Sequence, residues 1–153
     1  MSNVLARKRG ISEMEFYKNA NEIRTQVSAL LMRDKIIPKK WRHNITYRAL
    51  DIIEDMMEYM HEANRIFPYT DAEADERKRI QSLCIKCNDN LWELFQGAMQ
   101  NVWWQKLHST NQEGNPTKER LALEYHLDEI GRLIDREEQL LIGWRRSTKV
   151  LKR

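Results

Sequence analysis

The stretch Ile80-Gln81-Ser82-Leu83-Cys84-Ile85-Lys86-Cys87-Asn88-Asp89-Asn90-Leu91-Trp92-Glu93-Leu94-Phe95-Gln96-Gly97-Ala98-Met99 decides the fold. Ile80, Cys84, Cys87, Leu91, Leu94, Ala98 and Val102 recur at intervals of four and three, the period of one face of a helix. Trp92, Phe95, Met99 and Trp103 form a second apolar line, displaced around the same helix. Thr70 and Glu73 have capping-box spacing, so each side chain can satisfy an orphan group at a helix start. The pattern predicts a helix from Asp71 to near Lys106.

Three further segments carry the same period. Ser12 and Glu15 make a second capping box, and Phe16, Ala20, Ile23, Val27 and Leu30 follow it, predicting a helix over 12–34. Pro38 suits a first helical position, where its missing N–H costs nothing. Ile45, Ala49, Ile52, Met56, Met60, Ala63 and Phe67 then form a stripe, widened by Leu50, Ile53 and Met57, predicting a helix over 38–67 that ends before Pro68. The polar segment His108–Pro116 reads as the longest loop. Leu123, Leu127, Ile130, Ile134 and Leu141 predict a last helix from Pro116 or Thr117 to Ile142, with Gly143 as its stop. The expected fold is therefore all-α, an antiparallel up-down-up-down four-helix bundle with long helices. It divides into a basic N-terminal arm (1–11), the bundle (12–143) and a basic, flexible C-terminal tail (144–153).

Composition agrees. Five glycines and three prolines in 153 residues leave few breaks, which favours long helices over strands. Charged residues at 32% and apolar residues at 41% are ordinary for one globular domain. No apolar run of about 18 residues is present, so no membrane span is expected. The N-terminus lacks an apolar signal core, so secretion is not expected. Two cysteines form no disulfide framework, which points to the cytoplasm.

Motifs for chemistry fail one by one. Cys84 and Cys87 have C-x-x-C spacing and share a helix face, but no second pair completes a zinc site. Both fall on the apolar seam, where small buried hydrophobes are the commoner outcome. Glu58 and His61 match one E-x-x-H unit, whereas a di-iron bundle needs two, plus two more glutamates. No phosphate-cradling loop or nucleophile elbow appears. No catalytic residue, metal or cofactor is assigned, and an enzyme is not expected.

Charge is distributed unevenly around a net +3. Arg7, Lys8 and Arg9 open the chain. Arg33, Lys35, Lys39, Lys40, Arg42 and Arg48 surround the first turn, opposed by Asp34 alone. Arg145, Arg146, Lys149, Lys152 and Arg153 close the chain with no acid among them. Two readings stay open: an anionic partner at the basic zones, or a mixed solvated surface with a basic tail. Five tryptophans add to the first reading. Trp41 lies in the basic turn, Trp103 and Trp104 end a helix at the same end of an antiparallel bundle, and Trp144 begins the tail. Rings beside cations can stack on unpaired bases, although capping the core is the commoner role for any one of them. Trp92, Phe95, Met99 and Trp103 exceed the needs of one four-helix core and read as a protein–protein face.

The segments Phe16-Tyr17-x-x-Ala20, Leu31-Met32-Arg33-Asp34, Pro38-Lys39-Lys40-Trp41-Arg42, Ala63-Asn64-Arg65-Ile66-Phe67-Pro68 and Leu141-Ile142-Gly143-Trp144-Arg145-Arg146-Ser147 resemble small bacterial four-helix-bundle proteins. The group is the accessory variability determinant of diversity-generating retroelements, which shares its fold with proteins encoded in intervening sequences of ribosomal RNA genes. The resemblance covers about Phe16 to Ser147 and rests on helix ends and packing residues. It implies a five-subunit barrel with a basic surface. Such barrels bind the element's reverse transcriptase and its template RNA, and support mutagenic cDNA synthesis without doing chemistry. The chain's net charge is modest beside that family, but five copies would repeat each basic zone.

The expected partners are thus a reverse transcriptase, template RNA with DNA as the other nucleic acid, and four further copies of the chain. The expected phosphate contacts are Arg33, Lys35, Lys39, Lys40, Arg42 and Arg48, with Arg145, Arg146 and Lys149 from the tail. The runner-up is an oligomeric bundle that pairs with a protein and has no nucleic-acid role.

Overall fold

The structure, a computed structural model, describes residues 10–152. Arg7, Lys8 and Arg9 of the expected arm, and Arg153, lie outside the described residues. The described chain is all-helical, with five helices of which four are long. These are α1 (Glu15–Leu31), α2 (Arg48–Arg65), α3 (Asp71–Asn101), α4 (Trp104–Leu107) and α5 (Lys118–Arg146). Helix α1 packs on α2 and α5, and α3 packs on α2 and α5. Tyr17 meets His61 near the start of α1, while the Thr46 hydroxyl donates to the Leu31 carbonyl at its end.

The helix boundaries follow local chemistry. At α3 the capping box forms: the Glu73 amide donates to Thr70 Oγ1 at 3.2 Å, and that hydroxyl donates to Glu73 Oε1 at 3.0 Å. At α1 it does not. Ile11–Glu13 form a 3₁₀ turn, Met14 takes the cap position, and no side chain caps the helix. Ile11 is buried, so packing of that turn displaces the start by three residues. Helix α2 begins ten residues later than the sequence suggests. Pro38 leads into a 3₁₀ turn (Lys39–Trp41) and a π-turn (Arg42–Tyr47) before regular helix begins. It ends at Arg65, because Pro68 pushes the residues before it into extended backbone. Arg77 Nη1 donates to the freed Ile66 carbonyl at 2.8 Å.

Helix α5 starts at a formed cap, with the Arg120 amide donating to Thr117 Oγ1 at 3.2 Å. It runs on to Arg146, so Gly143 lies within the helix and does not stop it. Trp144 explains the extension: its ring stacks on Phe16 at 4.0 Å, with the Arg77 guanidinium 5.6 Å away. The tail after it is packed, not free. Thr148 is buried and donates to Gln81 Oε1 at 3.0 Å, and the Leu151 amide donates to the Pro68 carbonyl at 2.7 Å.

The core seams keep four-three spacing, and three of them admit polar residues. On α3 the buried positions are Ala74, Ile80, Gln81, Cys84, Asn88, Leu91, Phe95 and Ala98. On α5 they are Leu123, Leu127, Ile130, Ile134, Glu137 and Leu141. Asn19 of α1 donates through Nδ2 to the Leu133 carbonyl at 2.8 Å and to Glu137 Oε1 at 3.4 Å. Asn88 Nδ2 donates to the Ile134 carbonyl at 2.9 Å. Glu137 Oε2, Gln81 Nε2 and Asn88 Oδ1 have no partner.

Loss of hydration pushes the Glu137 carboxyl up to about 8, against which Asn19 and Arg136 act more weakly. The native chain therefore holds a proton that the unfolded chain releases above an ordinary value of 4.5. Stability conferred by that proton falls as pH rises from roughly 4.5 to 8, by on the order of 4 kcal/mol. Urea unfolding at pH 5 and pH 8 measures the drop, and Glu137→Gln should flatten it. A wild-type stability equal at both values would show that Glu137 is charged throughout.

Candidate nucleic-acid interface

Two structures meet at the basic first turn. The first is the connection between α1 and α2. Its Ile37 side chain is fully buried, and its amide donates to the Arg33 carbonyl at 3.1 Å. One apolar anchor thus folds the connection against the core and leaves Arg33, Lys35, Lys39 and Lys40 exposed. Lys40 Nζ lies 5.9 Å from the half-buried Trp41 ring, within cation–π range. Arg42 differs: it is half-buried and ion-paired with Asp34, which lowers the charge it can offer a ligand.

The second is the end of α3. The Val102 and Trp103 amides both donate to the Ala98 carbonyl, at 2.8 and 2.9 Å. That shared acceptor ends the regular helix and turns Trp103 inward. Its ring stacks 6.1 Å from Phe95, and Nε1 donates to the Ile36 carbonyl at 3.0 Å. The next residue faces out. Trp104 is 55% exposed, with His108 stacked on one ring face at 3.8 Å. Lys106 Nζ donates to the Lys35 carbonyl, which brings α4 onto the basic turn. The loop beyond α4 is closed by a Ser109–Thr117 hydroxyl pair at 2.6 Å and by Gly114 at φ 82°.

Arg33, Lys35, Lys39 and Lys40 therefore share one end with Lys106 and an exposed indole. Lys106 was outside the expected set. Its signal was its place in Trp103-Trp104-Gln105-Lys106, directly after the seam. Arg48 does not join this group. It lines an open groove of about 710 Å³ with Asp51 and Asp55, where acids offset its charge. Arg145 and Arg146 sit at the opposite end, near Trp144 and Phe16, and line a groove of about 260 Å³ with Lys78 and Ile142. Lys149 is exposed in the packed tail.

The expected protein–protein face is corrected by burial. Phe95 and Trp103 are 1% and 0% exposed, so both belong to the subunit's own core and neither is free to meet a partner. Trp92 and Met99 are half-buried. The Trp92 ring lies over Gly131 of α5, where an added Cβ would stand 3.2 Å from its edge. Outward apolar side chains occur instead on α5, where Leu121 and Tyr125 are 53% and 62% exposed.

The chemistry-bearing pairs are quiet. Burial pushes the Cys84 thiol well up and the Cys87 thiol up to about 11, so both stay protonated at neutral pH. Cys84 Sγ lies 3.7 Å from the Met56 carbonyl. Glu58 and His61 are exposed on α2, and His61 Nε2 pairs with the Tyr17 hydroxyl at 3.2 Å. Among the described residues no group of three His, Cys, Asp or Glu could hold a metal ion, and no helix is long and apolar enough to cross a membrane. Comparison with family models, with curated proteins and with solved structures gives no match to the chain.

The two adjacent tryptophans should behave oppositely. Trp103→Ala removes a buried ring and orphans the Ile36 carbonyl, so it should cost about 3–5 kcal/mol. Trp104→Ala should change stability by under about 0.5 kcal/mol. Denaturant unfolding of both variants decides the matter, and equal losses would refute the inward and outward assignment.

Proposed function

We propose that this chain is a non-catalytic, nucleic-acid-binding accessory protein. The observation that carries the reading is that the exposed Arg33, Lys35, Lys39 and Lys40 lie on the connection onto which Lys106 docks, two residues from the exposed Trp104, with Asp34 already paired to Arg42. Cations gathered at one end attract a polyanion through release of its counterions. An exposed ring next to them supplies contact that phosphate alone cannot. The resemblance to accessory variability determinants names the biological setting: a bacterial or phage cytoplasm, a reverse transcriptase partner and its template RNA.

Within this reading the scaffold is an up-down-up-down bundle. The pairings of α1 with α2, α2 with α3, α3 with α5 and α5 with α1 support it. The assembly is a homopentamer, as the resemblance implies, with Leu121 and Tyr125 joining Trp92 and Met99 as candidate contact residues. Arg145, Arg146 and Lys149 form a second basic zone at the far end, which a single subunit cannot apply to the same short stretch of ligand. One observation favours a protein-only interaction module instead: the outward Leu121 and Tyr125, one turn apart on α5, lie on a face the core leaves unused.

The test is salt-dependent RNA binding by Lys35→Ala/Lys39→Ala/Lys40→Ala. The triple variant should bind single-stranded RNA more weakly, and the slope of log affinity against log salt should fall by about 2. An unchanged slope would remove this end from the function. No binding by the wild type at physiological salt would favour the protein-only module.

A further inference from the structure

We infer that the ring of Trp104, backed by His108 and set at the same end of the fold as Lys35, Lys39, Lys40 and Lys106, is a stacking platform for an unpaired base of single-stranded RNA. This inference rests on the proposed nucleic-acid role of this end and names the form of the ligand.

The five tryptophans occupy different environments. Trp103 is buried, Trp41, Trp92 and Trp144 are half-buried, and Trp104 is exposed. An indole left open to water costs hydration free energy that folding does not recover. Nothing local requires the ring here, because the inward anchor at this end is Trp103, through its bond to the Ile36 carbonyl.

The exposed ring is also held in place. His108 stacks on one face at 3.8 Å with 28° between the planes. His108 Nδ1 lies 2.8 Å from the Trp104 carbonyl, which fixes the imidazole against the indole. The Lys106 ammonium on the Lys35 carbonyl secures the α4 turn, and the Ser109–Thr117 pair secures the loop that follows. A platform fixed before binding loses little side-chain entropy when a ligand arrives.

The occupant follows from shape and charge. A flat π-surface that is 55% exposed accepts another flat π-system, and the cations at the same end select an anionic one. A duplex hides its base faces within the stack and presents only edges and backbone, so it cannot cover the ring. An unpaired nucleotide can place its base on Trp104 and its phosphates toward the lysines. The platform thus gives this end a preference for single strands that cations alone would not confer.

Fluorescence anisotropy with a labelled single-stranded RNA of about 12 nucleotides, and with the same strand in a perfect duplex, tests the assignment. Trp104→Ala should weaken single-strand binding by roughly 5- to 100-fold while leaving duplex binding and the salt slope unchanged. Trp104→Phe, which keeps a π-face, should restore most of the loss. Unaltered single-strand affinity in Trp104→Ala, or equal weakening toward duplex, would overturn the platform. If Lys35→Ala/Lys39→Ala/Lys40→Ala still weakens binding in that case, the nucleic-acid reading of this end stands alone. No binding of either RNA by the wild type would overturn both.

Discussion

The hydrogen bond from Trp103 Nε1 to the Ile36 carbonyl holds the end of the fold that carries the basic turn together. It joins the link between α3 and α4 to the connection between α1 and α2, segments that are far apart in sequence. A single hydrogen bond of this kind contributes only about 1 kcal/mol net, but the buried indole around it contributes more. Its geometric effect is larger still. Trp103 is pinned inward, the next residue faces out, and Lys106 lies on the Lys35 carbonyl.

A second constraint acts through the middle of the core. Asn19, Gln81, Asn88 and Glu137 occupy positions that apolar residues would fill in an idealised four-three seam. Each buried polar group loses hydration, and Glu137 avoids the larger cost of a buried charge by keeping its proton. The partners are directional. Asn19 selects Leu133 and Glu137, and Asn88 selects Ile134. A slide of α5 by one turn against α1 or α3 would break these bonds, so the polar layer favours one register at some expense in stability.

Much of the fold was legible because apolar spacing and turn residues agree. Thr70, Thr117, Pro68 and the loop before Thr117 all mark real helix boundaries. The α3 seam was harder. Reading it by apolarity chose Cys87 and Leu94, which are half-buried, and passed over Asn88, which is buried. That choice placed Phe95 on an outer line, although it belongs to the core. Glu137 was passed over for the same reason. The cap expected at Ser12 does not form and α2 starts late because Ile11 and Ile37 pack into the core, which no local propensity records. Gly143 resembled a stop because the stacking of Trp144 on Phe16 is a long-range contact. At the candidate site the basic turn was visible as a run of Lys and Arg. Which indole faces solvent, and that Arg48 stands among acids, depended on tertiary placement.

Amide hydrogen exchange with and without a single-stranded RNA, at physiological salt, would locate the surface that RNA covers. Exchange should slow only in the backbone of 33–42 and 104–108, the basic connection and the turn that carries the exposed indole. Protection centred instead on the α2 surface or on 145–152, with the 33–42 and 104–108 segments unchanged, would contradict that expectation.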